Sequence, residues 1–151
     1  MVPSPTVSHQ RVSKRLLLAL AQWIENHGLG EVYSAPLDVV LGEYDVVQPD
    51  LVYVSKERSG IIKEANIWGA PDLVVEILSP GTAKWDADVK RQLYARFGVQ
   101  ELWLVDPQAR TIEVATLRDG VLLTSEVYYP GVTVASPLLP GFTLDVERLF
   151  A

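Results

Sequence analysis

One stretch constrains this chain more than any other: Leu73–Ser79, LVVEILS. It is a nearly continuous apolar run with β-branched residues, the pattern of a central strand buried on both faces. Pro80 and Gly81 end it. A helix is predicted from about Thr82 to Phe97, with Trp85, Val89, Leu93 and Phe97 as its apolar face, and Gly98 closes it. Glu101–Val105, ELWLV, reads as a second buried strand, cut off by Asp106-Pro107. Strand, helix and strand in this order predict a right-handed crossover between parallel strands.

The flanks predict further layers. A first helix is expected from about Ser8 to His27, because Val12, Leu16, Leu20, Trp23 and Ile24 recur at helical spacing. Ser8 is its expected N-cap, and Gly28 and Gly30 stop it. Three β-type segments follow: EVYSA, LDVVL and DVVQPDLVYVS, with a turn at Gly42 to Asp45. Lys56 to Ala70 is polar, contains Gly60 and Gly69, and is expected to be a mobile loop. After the crossover, TIEVATL and VLLTSEVYY flank Arg118-Asp119-Gly120, a strong hairpin signal. The Pro-rich tail ending LDVERLF reads as an irregular cover. The fold class expected is α/β (α+β): a mixed, twisted β-sheet with flanking helices.

Composition narrows the chemistry. At 151 residues, 48% hydrophobic and 21% charged, the chain is a single globular domain. It has no cysteine, which excludes disulfides, thiolate metal sites and a cysteine nucleophile. Two histidines, His9 and His27, make a His-rich metal site a poor fit. The run LLLALA is too short to span a bilayer. MVPSPTVSHQ lacks the order of a signal peptide, so a cytoplasmic protein without membrane contact is expected. The net charge of −6 argues against a strongly basic nucleic-acid surface.

Glu76 is the most informative residue. A charge in the middle of a buried strand costs several kcal/mol, about that order per ion, unless it is paired or metal-bound. The plain alternative is an edge position or a salt bridge. Asp72 lies four residues earlier and points to the same face, about 13 Å away, too far to share one metal directly. It also reads simply as the start of the strand. Asp50, in QPDLVYV, is the better partner if its strand lies beside Leu73–Ser79. Two carboxylates with open coordination positions suit Mg²⁺ or Mn²⁺. Asp86, Lys90 and Tyr94 are spaced i, i+4, i+8 and line one helix face, displaced by one residue from the apolar stripe. As a set, Asp50, Glu76 and Lys90 match what phosphodiester hydrolysis needs: a metal that lowers the pKa of water, and a cation for the developing phosphate charge.

The stretch GAPDLVVEILSPGTAKWDADVKRQLYARFGVQELWLVDP resembles the core of the Uma-type restriction endonuclease family, assigned to the PD-(D/E)XK nuclease superfamily. GEVYSAPLDVVL, DVVQPDLVYVS and SPTVSHQRVSKRLLLALAQWI resemble the same family, so the likeness covers nearly the whole chain. The resemblance implies a restriction-endonuclease-like core, a Mg²⁺ or Mn²⁺ cofactor and DNA as substrate. It implies that Asp50 is the first acidic ligand and Glu76 the acid of the second motif. The superfamily's lysine usually follows that acid by two positions, where this chain has Leu78. The resemblance then makes Lys90, on the following helix, the candidate lysine. Asp72, Asp86 and Tyr94 match recurrent family positions as supporting residues. Family members usually carry a further element before the PSP…H segment. Its absence here would weaken the site and leave a sheet edge for a second copy, hence an expected homodimer.

Arg11, Lys14, Arg15, Lys56, Arg58, Lys63, Lys84 and Arg91 are candidate phosphate contacts, against a plain reading as solvated surface. His9 is within reach of the site but reads first as a surface or capping residue. Trp23, Trp85 and Trp103 read as core, and Trp68 as packing or as a stacking surface for a base. Three readings compete. The first is a metal-dependent endonuclease. The second is a weakened nuclease-fold module that binds DNA or a protein. The third is a scaffold whose carboxylates sit in salt bridges, which requires an Arg or Lys facing Glu76.

Overall fold

The computed structural model describes residues 5–80 and 84–151, excluding the side chains of residues 84 and 85. Among the described residues, three helices and eleven strands form a mixed α+β structure. The first helix, α1 (Val7–Asn26), is capped by Thr6, whose hydroxyl accepts the His9 amide. The expected cap, Ser8, lies inside the first turn instead. Val12, Leu16, Leu20 and Ile24 are buried along one stripe, as the helical period requires.

The main sheet has six strands in the order β1 (Gly30–Ser34), β4 (Leu51–Ser55), β6 (Leu73–Ile77), β7 (Glu101–Asp106), β8 (Thr111–Arg118), β9 (Val121–Tyr128). Only β6 and β7 run parallel, joined through α2 (Lys84–Phe97). Every residue of β6 is buried, as a strand covered on both faces demands. The predicted helix start at Thr82 lies outside the described residues. The β8–β9 hairpin turns at Asp119 and Gly120, both with positive φ, the geometry of the primed turn that suits strand twist.

The segment read as one strand, DVVQPDLVYVS, is two. β3 (Asp45–Val47) joins a small sheet with β2 (Val39–Gly42) and β5 (Ile67–Trp68), while β4 enters the main sheet. Gln48 and Pro49 separate them; proline has no amide to give a ladder. The expected loop from Lys56 to Ala70 holds a 3-10 turn (Lys56–Ile61) and β5, and Ile67 is buried. The tail is likewise ordered: β10 (Thr133–Ala135) pairs with β11 (Thr143–Asp145), and α3 (Val146–Phe150) follows.

Two cores sandwich the sheet. On one face α1 and the tail pack Leu16, Leu20, Phe142 and Leu149 against Leu51, Leu73, Val75, Ile77 and Trp103 of the sheet. On the other, α2 and the small sheet pack Val39, Ile67, Ala87, Tyr94 and Ala95 against Val52, Val74, Leu102 and Leu104. Fully burying such an aliphatic side chain stabilises by about 1.5–3 kcal/mol. Gly30 shows how close the strands come. A Cβ there would lie 2.2 Å from the Val54 carbonyl oxygen, at a φ of +154°.

The helix α2 packs Leu93 and Phe97 of its expected apolar face against the core but departs from that face at Val89. Val89, placed on the apolar face, is 46% exposed, whereas Tyr94 is fully buried. The side chain of Trp85 lies outside the described residues. The stripe of Asp86, Lys90 and Tyr94 takes the sheet side, because the sheet presents Glu76 there and a hydroxyl and an ammonium satisfy it.

Candidate active site

The site is built where two strand ends meet. β4 and β6 pair antiparallel with Leu51 opposite Val75 and Val52 opposite Val74, so the register sets Asp50 opposite Glu76. Alternation then sends both side chains to the α2 face, with Val52 and Val74. β4 ends one residue short, and the Asp50 carboxylate takes over from the ladder: the Ile77 amide donates to its Oδ2 at 2.7 Å. Its Oδ1 faces His9 Nε2 at 3.2 Å, from the first turn of α1.

Glu76 is 6% exposed. Lys90 Nζ donates to its Oε2 at 2.7 Å, and the Tyr94 hydroxyl donates to its Oε1 at 3.1 Å. Burial pushes the Glu76 carboxyl above its ordinary pKa, and the nearby Asp50 charge adds to this; Lys90 and Tyr94 offset it only in part. Partial burial alone would lower Lys90, but Glu76, then Asp50 and Asp86, hold it above the ordinary lysine value. It stays an ammonium at neutral pH. Burial, then Glu76, drives Tyr94 far up, so it remains a neutral donor.

The structure therefore brings together Asp50, Glu76, Lys90 and Tyr94. Asp86 sits one turn before Lys90, where its charge acts on the ammonium. Asp72 is not brought to the pair. It lies at the far end of β6, where its Oδ2 accepts the Ser55 amide at 2.6 Å and its own amide donates to the Tyr53 carbonyl. Leu78, where the resemblance leads one to expect a lysine, is packed among apolar side chains. His9, read first as a surface or capping residue with the site within reach, is a largely buried partner of Asp50. The signal available was a lone histidine at the start of a helix otherwise read as core.

Two expected phosphate contacts are employed elsewhere. Arg15 donates to the carbonyls of Leu149 and Ala151, at 3.0 and 2.6 Å, and so ties down α3. Arg91 pairs with Glu113 and reaches the Leu122 carbonyl, fastening α2 to the hairpin. Trp68 is 58% exposed, so of its two readings packing is set aside.

The donor set fits a hard divalent cation with few protein ligands. Mg²⁺ is commonly held by one or two carboxylates, with waters and substrate phosphate completing the shell. Asp50 and Glu76 supply two facing carboxylates, and the Asp50 charge adds to the burial that raises the Glu76 pKa. Among the described residues no group of three or more metal-ligating side chains occurs. Three of the four carboxylate oxygens already accept a donor and the fourth faces His9 Nε2, so a cation would use the remaining lone pairs or displace Lys90.

The family model Uma2, described as "Putative restriction endonuclease", matches residues 1–147. The chain belongs to the Uma2 family. A crystal structure of a protein from Anabaena variabilis, titled a putative nuclease belonging to DUF820, superposes with a TM-score of 0.79 at 22% identity. The match covers 98% of this chain and 83% of the other, and it shows a shared fold. No curated protein matches. No helix among the described residues is long and apolar enough to cross a membrane.

Proposed function

We propose that this Uma2 chain is a Mg²⁺- or Mn²⁺-dependent endonuclease that hydrolyses DNA phosphodiester bonds. The observation that carries the reading is the facing pair Asp50 and Glu76 with Lys90 Nζ 2.7 Å from Glu76. When bound, the cation would lower the pKa of a water and polarise a phosphoryl oxygen. Asp50 and Glu76 would hold it. The Ile77 amide and His9 orient Asp50, and Tyr94 orients Glu76. Lys90 keeps its proton and places a positive charge beside the carboxylates, where it can orient the attacking water and stabilise the charge growing on the phosphate. At 46% exposure its side chain stays open to a substrate approaching from solvent. Cutting both strands of a duplex would call for a homodimer, one site per strand.

The same ion pair favours a second reading. Lys90 facing Glu76 meets the condition for a scaffold in which the carboxylates serve only in a salt bridge. Calorimetric Mn²⁺ titration separates the two. The nuclease reading expects the wild type to bind Mn²⁺, Glu76→Ala to lose binding while still folded, and Lys90→Ala to bind metal but fail to nick plasmid DNA. A folded wild type that binds no Mn²⁺ would overturn the metal-nuclease reading.

A further inference from the structure

Between the N-terminal half of α1 and the end of β1 lies a concavity of about 760 Å³. His9, Gln10, Arg11 and Lys14 line it from the helix, Ser34 from the strand end, and Asp50 from the site. The strand end is tied to the site by backbone: the Ala35 amide donates to the Asp50 carbonyl at 3.0 Å. In a chain of net charge −6, this wall holds two full cations and a single acid, and that acid is Asp50 itself.

The two cations also differ from those around them. Arg15, Lys90, Arg91 and Arg96 are spent on carbonyls or carboxylates of the fold. Arg11 and Lys14 are exposed and form no ion pair among the described residues. Being three residues apart on α1, they project from neighbouring turns on one side of the helix. Gln10 and Ser34 add neutral donors of the kind that position a phosphate backbone.

We propose that this groove seats a phosphodiester strand, with Arg11 and Lys14 contacting its phosphates and Asp50 meeting it at the reactive end. The inference rests on the nuclease reading and adds the path of the substrate. Phosphate contacts are sequence-independent, so Arg11 and Lys14 would contribute affinity and register and no base preference.

The test is fluorescence anisotropy of a labelled DNA duplex in EDTA, at a series of salt concentrations, with plasmid nicking measured in parallel. Arg11→Ala/Lys14→Ala should weaken binding across unrelated sequences and reduce the slope of log K against log salt by about 2, one per residue. Arg110→Ala/Arg118→Ala removes the same charge from exposed residues outside the groove and should leave the slope near that of the wild type. An unchanged slope in the Arg11/Lys14 variant, with nicking retained, would overturn the groove and leave the nuclease reading intact. Equal losses in both double variants would also overturn it, by showing charge without location. A wild type that neither binds nor nicks DNA would overturn both. Thermal melts of the variants establish folding, and the exposure of both residues predicts no change.

Discussion

Two glutamates lie buried on neighbouring parallel strands, and they are treated in opposite ways. Glu101 on β7 is 1% exposed and Glu76 on β6 is 6% exposed. Leu73 pairs with Glu101, whereas Glu76 pairs with Leu104, so the two sit about 10 Å apart along the strands. They also point to opposite faces. Glu101 receives only neutral donors: the Trp103 indole, the Ser136 hydroxyl and the Leu138 amide. All are locked in core or tail, and the carboxylate fastens the C-terminal segment to the sheet. Glu76 receives an ammonium on a half-exposed side chain and faces a second carboxylate. One buried charge is surrounded until nothing remains to react. The other is left beside charges of both signs at the end of a parallel strand pair, where α/β folds commonly place ligands.

Substitutions should break this contrast in order of effect. Glu76→Gln should cut DNA nicking by about a thousandfold or more, as expected when a pre-organised charge contact is lost. Its melting temperature should change little, since the lost ion pair and the relieved desolvation oppose each other. Glu101→Ala should do the reverse. It orphans two buried donors and one part-buried donor at about 1 kcal/mol each, so a loss of about 3 kcal/mol and a melting point lower by roughly 10 °C are expected. Nicking per folded molecule should persist; a Glu101 variant that is stable but inactive would erase the distinction.

Tyr94→Phe should destabilise by about 1 kcal/mol, measured by denaturant unfolding, because Glu76 Oε1 loses its donor. The smallest effect concerns pH. The folded-state pKa of Glu76 is raised above the ordinary 4.5, so the folded protein holds that proton more tightly than the unfolded chain. Its contribution is fully present below about 4.5 and is lost as pH rises through the higher folded value. The melting point of Glu76→Gln relative to wild type should therefore climb as pH rises from 4.5 towards neutrality. A flat difference would mean that Lys90 and Tyr94 fully offset burial.

Local pattern was legible wherever one element decides its own fate. The apolar stripe of α1, the buried run of β6, the Asp119-Gly120 hairpin and the charge inside LVVEILS follow from periodicity, turn chemistry and desolvation. So did the pairing of Asp50 with Glu76, once β4 was supposed to lie beside β6. Family resemblance supplied the expectation that Lys90 stands in for a lysine at Leu78, which spacing alone does not contain.

What failed did so where partners come from elsewhere in the chain. The face that α2 presents was misjudged at Val89 because that residue is more apolar than Tyr94, yet only Tyr94 can satisfy Glu76. Arg15 and Arg91 read as free cations until the tail and the hairpin arrived to take them. Asp72 shares a strand face with Glu76 but bonds to Ser55, and His9 reaches Asp50 across 41 positions of sequence. The sequence by itself determined which segments become strands and helices, because hydrophobic period and turn residues act within a few positions. Only the tertiary structure decided which buried carboxylate is sealed and which stands open, because a charge's environment is set by whichever distant groups the packing brings to it.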